Sequence, residues 1–255
     1  MKRSLQFTLI ICALCVLARP GFPAQDASPV IAAAAILEKI DQNAVPGSKI
    51  MVAAMTIHGR RADRTIKSKS WIEGDDKAFT EYLDPPREKG IKMLKLGDQL
   101  WTYTPATDRI IGISGNLLRQ SVMGSDLSYE DMMENRKWSD IYEAVEDGEE
   151  TMLARPCLIL RLTARVENVA YHQRRIWVDK DRWLVLKEER YGKSGRLLKT
   201  FEVTDVRQFE GRWIQTRALF RDVLKEGNGT EFVIESVDFD AQIPEVVFSK
   251  ASLRK

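Results

Sequence analysis

The 255 residues are 44% hydrophobic and 30% charged, a globular composition that excludes collagen-like, disordered and multi-span membrane chains. The 39 basic and 37 acidic residues nearly cancel, so no global field draws the chain to nucleic acid or to an anionic membrane surface. Its function must be read from local features.

Lys2 and Arg3 precede an apolar run, Leu9 to Ala18, that meets Arg19, Pro20 and Gly21. This is the layout of a secretory signal peptide, and the run is too short for the roughly 20 residues of a spanning helix. The expected division is residues 1–24 as signal peptide, cut between Ala24 and Gln25, and 25–255 as one mature domain. Val16 and Ala18 offer a second small-residue pair for cleavage, although Arg19-Pro20 follows it. Ile11 before Cys12 and Leu14 before Cys15 are too large for lipoprotein processing, so a soluble periplasmic product is expected. Losing Lys2, Arg3 and Arg19 with no acid leaves 36 basic against 37 acidic residues. Only Cys157 survives cleavage, so no internal disulfide is available and stability must come from the core.

Ser28-Pro29 followed by Ile36, Leu37 and Ile40 combines a capping residue, proline at the first helical position and an apolar stripe, which predicts a helix over about 29–43 ended by Gly47. From about residue 48 short β-rich runs alternate with turn pairs: Gly74-Asp75-Asp76, Gly97-Asp98, Asp147-Gly148, Asp179-Lys180-Asp181, Gly192 to Gly195, Glu210-Gly211 and Gly227-Asn228-Gly229. That rhythm predicts an antiparallel meander. Asp84-Pro85-Pro86 marks a strand end or bend, because proline cannot donate to a central ladder. Residues 112 to 135 do not alternate. Within them Leu117, Leu118, Val122 and Met123 lie between Gly115 and Gly124, and Ser128 to Met133 reads as a capped short helix, together a lid or a packed crossover.

In the later strands Ile176 and Val178 share one face and Trp177 the other, while Trp183 and Val185 oppose Leu184 and Leu186. Large apolar groups on both faces require cover on both sides. Either the sheet curls around a helix, or its concave side holds a ligand.

Catalytic constellations are absent from the pattern. His58 and His172 are far apart, Cys157 sits in an apolar strand start, and no phosphate loop, nucleophile elbow or dinucleotide fingerprint occurs. Neither a metal site nor a cofactor is expected. The carboxylates around Glu146 and Asp238 read as solvated charge, Asn228-Gly229-Thr230 as a hairpin turn, and the basic run around Arg174 as exposed strand charge. Large apolar groups remain: Trp71, Met93, Trp101, Tyr103, Leu117, Leu118, Met123, Met132, Trp177 and Trp213. A tryptophan in a sheet is most often core, but on the inner side of an under-filled curved sheet these ten would line a cavity for acyl chains.

Gly97-Asp98-Gln99-Leu100-Trp101-Thr102-Tyr103-Thr104-Pro105, Tyr82 to Gly90, Gly124 to Asp131 and Trp177 to Lys187 together resemble the LolA-like outer-membrane lipoprotein-sorting family, in its exporter-associated branch. The resemblance covers nearly the whole mature chain. It implies a mainly β (α+β) fold, a half-open antiparallel β-barrel with helices covering the concave face. It implies no catalysis and transport of lipid-bearing or lipoprotein cargo through the periplasm, with an inner-membrane exporter complex as a further partner; a monomer is expected. In the family an arginine fastens the lid; Arg60, Arg61 and Arg64 are the candidates here. The alternative function is a non-carrier periplasmic sensor or adaptor that docks an exporter or signalling protein.

Overall fold

The computed structural model describes residues 29–43, 47–134 and 136–255. The expected signal segment, its cleavage site and the capping residue Ser28 lie outside the described residues. Helix α1 (Pro29–Asn43) coincides with the predicted span. A first meander follows: β1 (Ser48–His58), β2 (Asp63–Glu73), β3 (Lys77–Asp84), β4 (Lys92–Leu96), β5 (Gln99–Thr104) and β6 (Arg109–Ile113). A crossover over residues 114–141 holds two 3-10 turns and the short helices α2 (Tyr129–Met133) and α3 (Trp138–Ile141). The second meander is β7 (Tyr142–Met152), β8 (Arg155–Ala164), β9 (Gln173–Asp179), β10 (Val185–Tyr191), β11 (Leu197–Phe209), β12 (Arg212–Asp222) and β13 (Thr230–Phe239).

Among the described residues the thirteen strands make one antiparallel sheet, in the order β6-β5-β4-β3-β2-β1-β13-β12-β11-β10-β9-β8-β7. The last strand closes on the first, Met55 opposite Phe232, so the two meanders merge at the centre and the barrel stays open between β6 and β7. Those two edges are consecutive in sequence and farthest apart in the sheet. The crossover therefore has to span the whole inner face.

Two clusters fill that face. Ala33, Ile36, Leu37 and Ile40 of α1 pack on Tyr142, Ala144, Leu160, Leu162, Ile176, Val178 and Val185. Every third or fourth residue of the helix meets alternate residues of the strands, the match of periods that an amphipathic helix on a sheet requires. Crossover residues Val122, Met123, Leu118, Leu127, Tyr129 and Met133 pack on Met55, Ile66, Tyr82, Met93 and Leu100. The carboxylate of Asp41 joins the two covers, accepting from the backbone N–H of Trp138 and of Ser139 at 2.9 Å each and so capping α3.

The outer side has its own cover near β3–β5. Two 3-10 turns, Glu245–Phe248 and Lys250–Arg254, press Phe248 and Leu253 onto Phe79, Leu94, Trp71, Trp101 and Tyr103. Over β3–β5 the chain thus supplies cover on both faces.

One expected turn and one expected strand position differ. Asp147-Gly148 is a bulge inside β7, where the register slips between Glu146 and Glu149; glycine at φ 110° absorbs the extra residue. The hairpin turn lies instead at Leu153-Ala154, with φ of 50° and 57°. Type I′ geometry matches strand twist even when the residues are not the usual Asn-Gly. Trp183 stands at φ 54° in the turn before β10 rather than in a strand, yet it packs with Val185 in the α1 cluster while Leu184 and Leu186 belong to another.

Candidate functional site

The crossover and the sheet beneath it form the candidate site. Its apolar floor comes from alternate residues of β1–β5, because a strand sends only every second side chain inward. Met93 and Val122 are 3% and 2% exposed, so in this conformation the crossover fills the face. A bend with consecutive left-handed residues, Met123 (φ 53°) and Gly124 (φ 77°), turns the segment back on itself. A capping box then starts α2: Ser128 Oγ accepts from the Asp131 N–H, and the Asp131 carboxylate accepts from the Ser128 N–H at 2.8 Å.

Polar contacts fasten this apolar plug. Arg64 on β2 donates through Nη1 to Glu88 Oε1 at 3.0 Å and through Nη2 to the carbonyl of Met123, so of the three candidate arginines Arg64 is the one that touches the crossover. Thr230 Oγ1 donates to Asp126 Oδ2 at 2.6 Å, and the Asp126 Oδ1 accepts from the Asp222 N–H at 2.9 Å. Lys225 reaches Ser121 Oγ and the Ser125 carbonyl.

The strongest fastening is at Asp131. Its Oδ1 accepts from Tyr171 OH at 2.6 Å and Arg190 Nη1 at 2.9 Å, and its Oδ2 from Lys199 Nζ and Ser128 Oγ. Arg190 and Lys199 are paired across the β10–β11 hairpin, which aims both cations at one point. Arg190 also donates to Glu188, itself paired with Arg174, which stacks on Trp138, Tyr142 and Tyr171. This row of charges separates the apolar cluster under α1 from the one under the crossover. Burial pushes the Asp131 carboxyl up, but the Arg190 and Lys199 charges and the Lys199 and Tyr171 hydrogen bonds outweigh it and hold the group well below the usual carboxylate range. Tyr171 is pushed up, by burial first and then by the Asp131 charge, and stays a donor.

Of the ten sequence-predicted residues, the structure brings Met93, Leu118 and Met123 together in this cluster. Leu117 and Met132 are on the crossover but 38% and 39% exposed. Trp71, Trp101 and Tyr103 do not join them: alternation sends these three to the outer side, under the C-terminal turns, where Lys250 stands 4.0 Å over Trp101. Trp177 points away from Ile176 and Val178, flanked by Lys187 and Arg175 and donating to Glu150 Oε2 at 2.6 Å. Trp213 lies under Arg182, 3.5 Å from its ring centroid. Trp71, Trp101, Trp177 and Trp213 thus serve structural cover and cation–π contacts.

Among the described residues no cluster of three or more His, Cys, Asp or Glu could hold a metal, and no helix is long and apolar enough to cross a membrane. Burial pushes the Cys157 thiol up, away from nucleophilic reactivity.

The architecture is shared with solved structures. An outer membrane lipoprotein-sorting protein domain from Vibrio parahaemolyticus superposes with a TM-score of 0.77 at 23% identity, covering 89% of this chain and 100% of its own. A LolA superfamily protein from Nitrosomonas europaea gives 0.70 at 24%, covering 86% and 98%. The chain has the LolA-like fold. A DUF1329 family protein from Desulfovibrio piger is similar to this LolA-like chain at 26% identity and a TM-score of 0.79, covering 89% and 100%. A family model described as "Uncharacterized protein" matches residues 74–255 of it, well over half of the chain. No curated protein matches it.

Proposed function

We propose that this LolA-like chain is a non-catalytic periplasmic carrier that receives acyl chains of lipoproteins or lipids on its inner face and delivers them toward the outer membrane. The observation that carries this reading is the crossover itself: an apolar segment laid over an apolar floor and fastened there by additional polar contacts at Asp126, Asp131 and Met123. The lipoprotein-sorting description of a protein of the same fold supports it.

Energetics restrict how cargo enters. Lifting Leu118, Val122, Met123, Leu127, Tyr129 and Met133 into water would cost on the order of 10 kcal/mol at roughly 1.5–3 kcal/mol per large apolar side chain. Ten buried methylenes return only about 8 kcal/mol. Cargo therefore slides between crossover and floor, so that the apolar surface of both is reused and the crossover closes over the chain. Met93, Leu118 and Met123 are the proposed contacts inside, with Leu117 and Met132 at the margin. Closure in the empty state keeps a large apolar patch from water.

Native mass spectrometry of the purified protein, with and without a synthetic diacylated lipopeptide, tests this. The expected result is a stoichiometric adduct. Stable absence of lipid, together with capture of a membrane exporter by the lipid-free protein, would favour the adaptor instead.

A further inference from the structure

We infer that Arg190, Lys199 and Tyr171 form a receiving site for the anionic headgroup of a lipid, a site that the Asp131 carboxylate of the crossover occupies in the closed protein. The inference rests on the carrier reading and names the class of cargo. Three groups from separate elements converge on one carboxylate: Tyr171 from the β8–β9 connection, Arg190 from β10 and Lys199 from β11. The remaining donors to that carboxylate come from Ser128 of its own helix and leave with it when the crossover moves.

Charge balance gives the site its selectivity. Among the described residues Glu188 is the sheet carboxylate ion-paired with Arg174 and Arg190, and the ion pair of Lys199 is to Asp131, so departure of Asp131 leaves surplus positive charge on a largely buried face. Uncompensated buried charge is strongly unfavourable. A neutral acyl chain can replace the apolar contacts of the crossover but not the anion, whereas an anionic amphiphile replaces both.

A second observation points the same way. Arg190 Nε is buried with no hydrogen-bond partner among the described residues, a spare donor that the two oxygens of a carboxylate leave unused. A phosphate group offers more acceptor oxygens and suits the planar guanidinium fork. Tyr129 and Met133 flank Asp131 within the apolar cluster, so a headgroup seated here leaves its chains pointing along the floor under the crossover.

The test compares phosphatidylglycerol with diacylglycerol of identical acyl chains, each presented to the protein and counted by native mass spectrometry. Phosphatidylglycerol is expected to be taken up roughly tenfold better, the scale of a charge-assisted contact. Lys199→Gln is expected to erase most of that preference, and Asp131→Asn to raise phosphatidylglycerol uptake about tenfold. Circular dichroism of both variants confirms their folding. Equal uptake of the two lipids, unaffected by Lys199→Gln, would overturn the headgroup site and leave carriage standing. Uptake of neither lipid, even by Asp131→Asn, would overturn carriage itself. Inorganic phosphate binding to Asp131→Asn as tightly as phosphatidylglycerol would assign the site to a free anion and overturn the lipid assignment.

Discussion

Asp131 Oδ1 on the crossover lies 2.9 Å from Arg190 Nη1 on β10, across 59 residues of sequence. The contact ties the segment that leaves one edge of the sheet to strands near the other. Because the carboxylate also accepts from Lys199 and Tyr171, it acts as one electrostatic clasp rather than as a surface ion pair of little worth.

Removing the charge should open the clasp before it unfolds the barrel. For Asp131→Asn the expected cost is about 3 kcal/mol, the scale of leaving buried partners uncompensated, felt as faster hydrogen exchange in residues 120–133. Exchange in β8 and β9 should change little. A variant whose crossover amides keep their full protection would show that the apolar contacts alone hold the segment.

The same carboxyl sets the acid response. Its folded pKa is depressed, so its contribution is fully present above the ordinary carboxylate value of about 4 and is lost only as pH falls through the lower folded value. Crossover protection should therefore be flat from about pH 8 to pH 5. Release within that interval, followed by exchange against pH, would mean that another group governs closure.

Leu37 is 1% exposed at the centre of the α1 cluster. Leu37→Ala should cost about 2–4 kcal/mol, from lost burial and the cavity left behind, measured by urea denaturation. A cost below about 1 kcal/mol would mean that the helix is docked loosely.

The Leu153-Ala154 turn carries avoidable strain, since both residues sit at positive φ. Replacing the pair by Asn-Gly should stabilise the protein by about 1–2 kcal/mol, visible as a higher melting temperature. An unchanged melting temperature would show that packing of the Leu153 side chain already offsets the backbone penalty.

The sequence made the frame of the fold legible because local rules and tertiary demands agree there. Ser28-Pro29 and the Ile36, Leu37, Ile40 stripe marked α1, Ser128 and Asp131 marked α2, and glycine-bearing turns marked most hairpins. The Leu153-Ala154 turn escaped because its residue types carry no turn signal, and the Asp147-Gly148 bulge escaped because a bulge and a turn use the same residues. The site was harder. Tryptophan size gave Trp71, Trp101, Trp177 and Trp213 their prominence, but size does not say which face of a strand is inside; the C-terminal turns that cover Trp71 and Trp101 have no strong periodic signal. The clasp had one available clue. Glu188, Arg190 and Lys199 occupy inward register in a hairpin whose other inward positions are apolar, and buried charges in such a place call for partners.

Movement of the crossover can be blocked directly. Asp126 and Thr230 touch through their side chains at 2.6 Å, and replacing both by cysteine allows a disulfide that ties the crossover to β13, with Cys157 buried elsewhere. Uptake of a diacylated lipopeptide, followed by native mass spectrometry before and after reduction, tests carriage beneath a movable cover. The expected result is no adduct in the oxidised protein and restored uptake on reduction; equal uptake in both forms would contradict the account.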